Sequence, residues 1–160
     1  MTNVHLNTTV IDHGARKLRA KLRKAKAIEL DTGIFKESMT PDGQSISEYA
    51  AANEFGARMR NGGDIPERSF MRSTMRENME KYRSMEVQLL GQYLLGNRTL
   101  ESVYNTLGEE IAGDIVEKIV DLRTPPNAPA TILKKNSSNP LVDKGHMRKA
   151  VRHKLKTLLF

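Results

Sequence analysis

RTPPNAPATILKKNSSNPLVDKGHMRKAV, residues 123–151, separates a helical middle from a basic C-terminal tail, and its reading decides what that tail can be. It carries four of the chain's six prolines. Pro125-Pro126 stops the preceding helix, because proline lacks a backbone N–H and fixes φ. Asn127, Pro129, Asn136, Ser137, Ser138, Asn139 and Pro140 are loop formers, so residues 124–140 read as an extended loop. The apolar pair Leu141-Val142 follows, then Asp143-Lys144-Gly145, a turn whose glycine takes positive φ at no steric cost. A linker built for slack would not set an apolar pair beside a tight turn, so the segment is shaped. After it, Val151, His153, Leu155 and Thr157 alternate with Arg152, Lys154 and Lys156. That alternation suits a strand with one charged face, and a helix is the alternative.

Upstream of this stretch the period is helical. Met71, Met75, Met79, Tyr82, Met85 or Glu86, Leu89 and Tyr93 trace one stripe of a helix over residues 69–95, with Ser69 a candidate N-cap. A methionine stripe of this kind reads as core rather than as a cofactor pocket. Gly96-Asn97 ends that helix, and Thr99 caps the next, with Glu101 in its first turn. Leu100, Val103, Tyr104, Leu107, Ile111, Ile115, Ile119 and Leu122 form the cleanest amphipathic face in the chain. Two long helices with so short a link pack antiparallel.

Toward the N-terminus, residues 1–8 read as flexible. Ile11, Ala15, Leu18, Leu22 and Ala25 predict an amphipathic helix from Thr9 to Ala27, with Thr9 and Asp12 close to a capping box. Its other face holds Arg16, Lys17, Arg19, Lys21, Arg23, Lys24 and Lys26. Seven cations with no acid among them are either a solvated face or a phosphate-binding stripe. Residues 27–36 read as a strand with a bend or bulge at Gly33, and Thr40-Pro41-Asp42-Gly43 as a tight turn. For residues 46–55 the alanine run favours helix while the hairpin position favours strand. A strand start over Ser45–Tyr49 is the expectation, followed by a polar loop at 57–64. The whole reads as one α+β domain over 1–160: N-terminal amphipathic helix, small antiparallel sheet, two long antiparallel helices, C-terminal strand.

Aromatics are 5% and tryptophan is absent, so the core is aliphatic and drawn partly from eight methionines. Without cysteine there is no disulfide framework and no thiolate chemistry. No signal-peptide pattern and no apolar run long enough for a membrane span is present. Charge is unevenly placed. Residues 1–30 hold seven cations against two acids, residues 123–160 nine against one, and residues 96–122 two against six. Basic ends and an acidic middle suit either a nucleic acid or the middle of a neighbouring copy.

Catalytic motifs are missing. His5, His13, His146 and His153 have no carboxylates at ligand spacing, so no metal or cofactor is expected. Asp31-Thr32-Gly33 and Asp143-Lys144-Gly145 superficially resemble the paired triplets of aspartic proteases. Their contexts do not repeat, nothing else in the chain suggests paired halves, and one Asp-x-Gly is simply a turn. Phosphate-cradling and nucleophile-elbow patterns are absent, as are the common nucleic-acid modules. The residues predict no enzyme.

Two motifs carry a family resemblance. One is Ser47-x-Tyr49-Ala50-Ala51-x-Asn53-Glu54-Phe55-Gly56, then Ile65-Pro66-x-Arg68-x-Phe70-x-Arg72. The other is Pro125-Pro126-x-x-Pro129-x-Thr131, then Asn139-Pro140-Leu141-Val142-Asp143-x-Gly145 and Ala150-Val151. Together they resemble the signatures of tail-completion or neck proteins of tailed bacteriophages, the lambda-type minor tail protein Z relatives and Mu-like virion morphogenesis proteins. Family members often have proline where this chain has Ser69, and threonine where it has Lys144. The resemblance implies a structural virion protein at the head–tail junction, assembled in the host cytoplasm. It implies a homo-oligomeric ring, such as a hexamer, around a channel that DNA crosses without sequence reading. Its neighbours would be tail-tube or terminator proteins and head-connector proteins. Glu54, Phe55, Gly56, Pro66, Arg68, Phe70, Pro140, Leu141, Asp143 and Gly145 are the expected shape-determining or interface residues. The basic face at 16–26 is the expected DNA-facing group, and residues 123–129 the segment expected to reorder on docking. The alternative function is a small basic protein that binds nucleic acid non-specifically.

Overall fold

The computed structural model describes residues 14–25, 27–59, 62–135, 137–142 and 144–158. The fold is α+β. Its elements in order are α1 (Ala15–Lys24), β1 (Ala27–Ile34), α2 (Ile46–Phe55), β2 (Ala57–Arg58), β3 (Asp64–Ile65), α3 (Met71–Glu77), α4 (Met79–Leu95), α5 (Leu100–Asp121), α6 (Pro129–Lys135), α7 (His146–Ala150) and β4 (Val151–Leu158). The Thr9–Asp12 capping box, Lys26, Asp143 and the terminal residues 1–8 lie outside the described residues, as does the side chain of Lys24.

Helix α5 is the centre. Its predicted stripe delivers Val103, Leu107, Ile111, Ile115 and Ile119 to the core. Burying each such side chain is worth ~1.5–3 kcal/mol. Helix α4 packs along it antiparallel, as the rungs between them show. Lys118 meets Glu77 just before α4, Asp114 takes hydrogen bonds from Lys81 and Tyr82, and Tyr104 reaches Glu86. The expected single helix over 69–95 is interrupted at Asn78 (φ −107°, ψ 10°), which divides α3 from α4. Asn78 nevertheless donates to Thr74 O and accepts from Tyr82 N, so the backbone ladder passes through it. Of the methionine stripe, Tyr82 and Leu89 are buried, Met71, Met75 and Met85 pack at the core's edge, and Met79 is exposed.

The other side of α5 is covered by a two-stranded antiparallel sheet, β1 with β4, joining the two ends of the chain. The strand start expected over Ser45–Tyr49 does not extend into a strand: Ser45 is extended and bridges to Met39, but from Ile46 the chain is helical. Ser45 Oγ accepts from Glu48 N, an N-cap with the acid three residues on, and the alanine run continues the helix. The bulge expected at Gly33 is also absent, since the register runs unbroken from Ala27↔Leu158 to Ile34↔Val151. The strand expected at 151–157 forms with its charged face outward. Lys156 pairs with Asp31 at 2.5 Å, and Lys154 pairs with Glu37 across the sheet edge. Such exposed pairs contribute ~0–1 kcal/mol each. The extended loop expected at 124–140 contains α6, because Pro129 sits comfortably in a first helical turn and the residues after it form helix readily.

Gly108 lets α5 lie close to the sheet. A Cβ there would come within 2.6 Å of His153 Cγ and 2.8 Å of Leu30 Cδ1. In an open helix, glycine to alanine gains ~1 kcal/mol. Here the wedge dominates, and Gly108→Ala is expected to lower stability by ~1–3 kcal/mol in urea denaturation. A gain would mean that the helix and sheet are further apart than described.

Candidate functional site

The best-built polar cluster in the molecule sits where α2 ends and α3 begins. Helix α3 starts at Phe70 with no side-chain cap of its own. The expected cap, Ser69, turns its hydroxyl away and donates it to Glu54 Oε1 at 3.0 Å. The cap comes instead from Glu54 on the last turn of α2. Its carboxylate accepts from the backbone N–H of Phe70 (2.7 Å), Met71 (2.9 Å) and Arg72 (3.0 Å), and from Arg72 Nε (2.9 Å). Three free N–H groups at a helix start are what a carboxylate satisfies best. Glu54 is only 2% exposed. Burial pushes its pKa up, but the hydrogen bonds from Met71, Arg72 and Phe70 together outweigh burial and hold it below the ordinary glutamate value.

Arg72 closes the cluster from outside. Its Nη2 donates to Glu54 O and to Glu67 Oε1, and its guanidinium lies 4.5 Å over the Phe55 ring. Phe55 itself is 62% exposed. Gly56 ends α2 with φ 73°, and a Cβ there would press to 3.2 Å on Glu67 N and Ile65 O. Only glycine makes that corner without strain. Pro66, exposed directly after β3, has no N–H to extend the pairing.

Arg68 ties this cluster to the proline segment. It is 4% exposed, and among the described residues no carboxylate pairs with it. Its guanidinium donates to Pro125 O (2.7 Å), Pro126 O (3.0 Å), Asn127 Oδ1 (3.1 Å) and Asn53 Oδ1 (3.0 Å), while its backbone N–H donates to Asn53 O. Burial lowers its pKa, but guanidinium keeps its charge in proteins. Removing it strands several inward-facing oxygens. Arg68→Ala is expected to cost ~2–4 kcal/mol and to speed amide exchange in residues 123–128. Wild-type exchange rates there would show that the segment is held by something else.

The third part lies around Pro140, Leu141 and Gly145. Asn139 organises it: Oδ1 accepts from Leu141 N and Val142 N, and Nδ2 donates to Val120 O at the end of α5. Pro140 and Leu141 are buried, and Gly145 starts α7 with φ 74°. Pro140, Leu141 and Met147 face Tyr49 and Asn53 of α2 across a cleft of 490 Å³. Helix α2, which carries the first motif, thus joins the cluster through Glu54 and lines the cleft toward the second motif with Tyr49 and Asn53.

The structure brings Glu54, Phe55, Gly56, Arg68 and Phe70 together around the start of α3, with Pro66 beside them. It places Pro140, Leu141 and Gly145 around a cleft shared with Tyr49 and Asn53 of α2. Asp143 lies outside the described residues. The basic set is separate. Arg16, Lys17, Arg19 and Arg23 are exposed on α1, which meets the end of α4 where Lys21 donates to Tyr93 O and lies 4.7 Å over its ring. Sequence reasoning missed Asn53 and Asn139 as organisers. An asparagine directly before proline is the turn signal that points to Asn139. Among the described residues no group of three or more His, Asp or Glu side chains could hold a metal, and no helix is long and apolar enough to cross a membrane. The cluster's polar groups are engaged with one another, an arrangement suited to holding elements in place. Comparison of the chain with family models, with curated proteins and with solved structures finds no match in any of the three.

Proposed function

We propose that the protein is a structural component of a tailed-phage virion, a tail-completion or neck subunit at the head–tail junction. One observation carries the reading beyond the resemblance of its motifs. The two motifs, far apart in the chain, interlock through Arg68, whose guanidinium bonds to the carbonyls of Pro125 and Pro126. A pair of signatures that form one clasp behaves as a single architectural unit, which supports reading them together. The subunit would act in a closed ring built from heterologous contacts. Tail-tube or terminator proteins would stack on one side and connector proteins on the other, with DNA passing through the lumen.

The test is the protein content of virions purified from a phage carrying this gene. Quantitative mass spectrometry is expected to find the chain at one ring's worth of copies, far below the major capsid protein. Absence from purified virions overturns the reading. A second reading, a small basic protein that binds nucleic acid alone, is favoured by one feature, the exposed Arg19 and Arg23 on α1. It requires DNA affinity that falls steeply with salt, in a protein that virions do not retain.

A further inference from the structure

The geometry points to a specific subunit contact: helix α1 of one copy lies along the outer face of α5 of the next. This rests on the ring reading and names the surfaces that would form it. Helix α1 is unusual in exposing both its faces. Leu18 is 39% and Leu22 55% exposed, and they form one edge at i, i+4 spacing. Arg19 and Arg23 adjoin that edge, and among the described residues neither has an ion pair or hydrogen bond. A helix with bare leucines and free cations on neighbouring faces fits an acidic surface with room for a side chain.

The chain carries such a surface. On α5 the exposed positions Glu101, Glu109, Gly113, Glu117 and Asp121 recur at multiples of four along the helix. Among the described residues none of the four acids is paired, whereas the inner acids Glu110 and Asp114 are held by Lys81. Gly113 lies between Glu109 and Glu117, and nothing stands within 4 Å of where its Cβ would be. It leaves a notch that a leucine can enter while arginines reach the acids on either side. Within one copy, α1 is engaged at Tyr93 near the end of α4, and among the described residues none of its cations pairs with these acids. A contact between two different patches of identical chains is heterologous, the kind that closes into rings.

The test uses the full-length protein in sedimentation velocity at low ionic strength. Wild type is expected to form a closed oligomer that dissociates as salt rises. Arg19→Glu/Arg23→Glu and Glu109→Arg/Glu117→Arg are each expected to run as monomers with unchanged helical circular dichroism, since all four sites are exposed. Mixing the two variants is expected to restore the oligomer, because each supplies the charge that the other has lost. A wild type that stays monomeric, or oligomers indifferent to both reversals, would overturn the contact. So would a mixture that fails to reassemble. Loss of DNA retention in Arg19→Glu/Arg23→Glu with the oligomer intact would assign α1 to DNA instead. Oligomers coupled in this way by a chain that virions lack would uphold the contact and remove the neck reading.

Discussion

Replacing Glu54 with alanine is expected to destabilise the protein by ~3–5 kcal/mol, the scale for breaking a buried charge-assisted network. The substitution leaves the N–H groups of Phe70, Met71 and Arg72 without an acceptor at a site only 2% exposed. It also frees Ser69 and Arg72, so α2 and α3 lose their join. Glu54→Gln keeps the shape but replaces one acceptor oxygen with a donor and is expected to cost about half as much. The pH dependence separates charge from shape. Glu54 titrates below its ordinary value in the folded protein. Its contribution is therefore complete above the unfolded glutamate pKa of ~4.3 and is lost as pH falls through the lower folded value. Wild-type stability should drop over that acid range, and the glutamine variant should drop less. Glu37 and Asp42 are also shifted down, but both are exposed and remain in each protein, so the difference isolates Glu54. An alanine variant within ~1 kcal/mol of wild type would mean that the cap is not formed in solution.

Phe70→Ala is expected to cost ~3–5 kcal/mol, because the side chain is fully buried (0% exposed) at the junction of the clasp and the core. Two residues from the same motif then part company. Phe55 is 62% exposed and meets Arg72 by ring contact, so Phe55→Ala should cost less than ~1 kcal/mol. Chemical denaturation of both variants is the check, and equal losses would contradict the described packing. A Phe55 variant that keeps its stability but fails to assemble would mark that ring as a docking contact.

Much of the fold was legible because its signals are local. The stripe from Val103 to Ile119 has one consistent period, and the alternation from Val151 to Thr157 has another. What the sequence did not disclose is pairing at long range. The segment after β1 looked like its hairpin partner, yet the cap of Ser45 on Glu48 and three alanines make it a helix, and β4 arrives from the far end of the chain to take that place. Helix α6 was hidden among loop-forming prolines and asparagines because Pro129 breaks a helix anywhere but at its start. The clasp was half visible. Glu54, Arg68 and Phe70 stood out by motif, but their work did not, since capping between two helices and a grip on two proline carbonyls leave no periodic trace. Ser69 looked like the cap because propensity cannot show that a glutamate fifteen residues earlier comes closer.

The most direct test of the proposed assembly role is electron microscopy of lysates from a phage in which this gene is deleted. Full heads and separate, complete tails side by side are the predicted result, because the joining step alone should fail. Normal virions in normal numbers would contradict it.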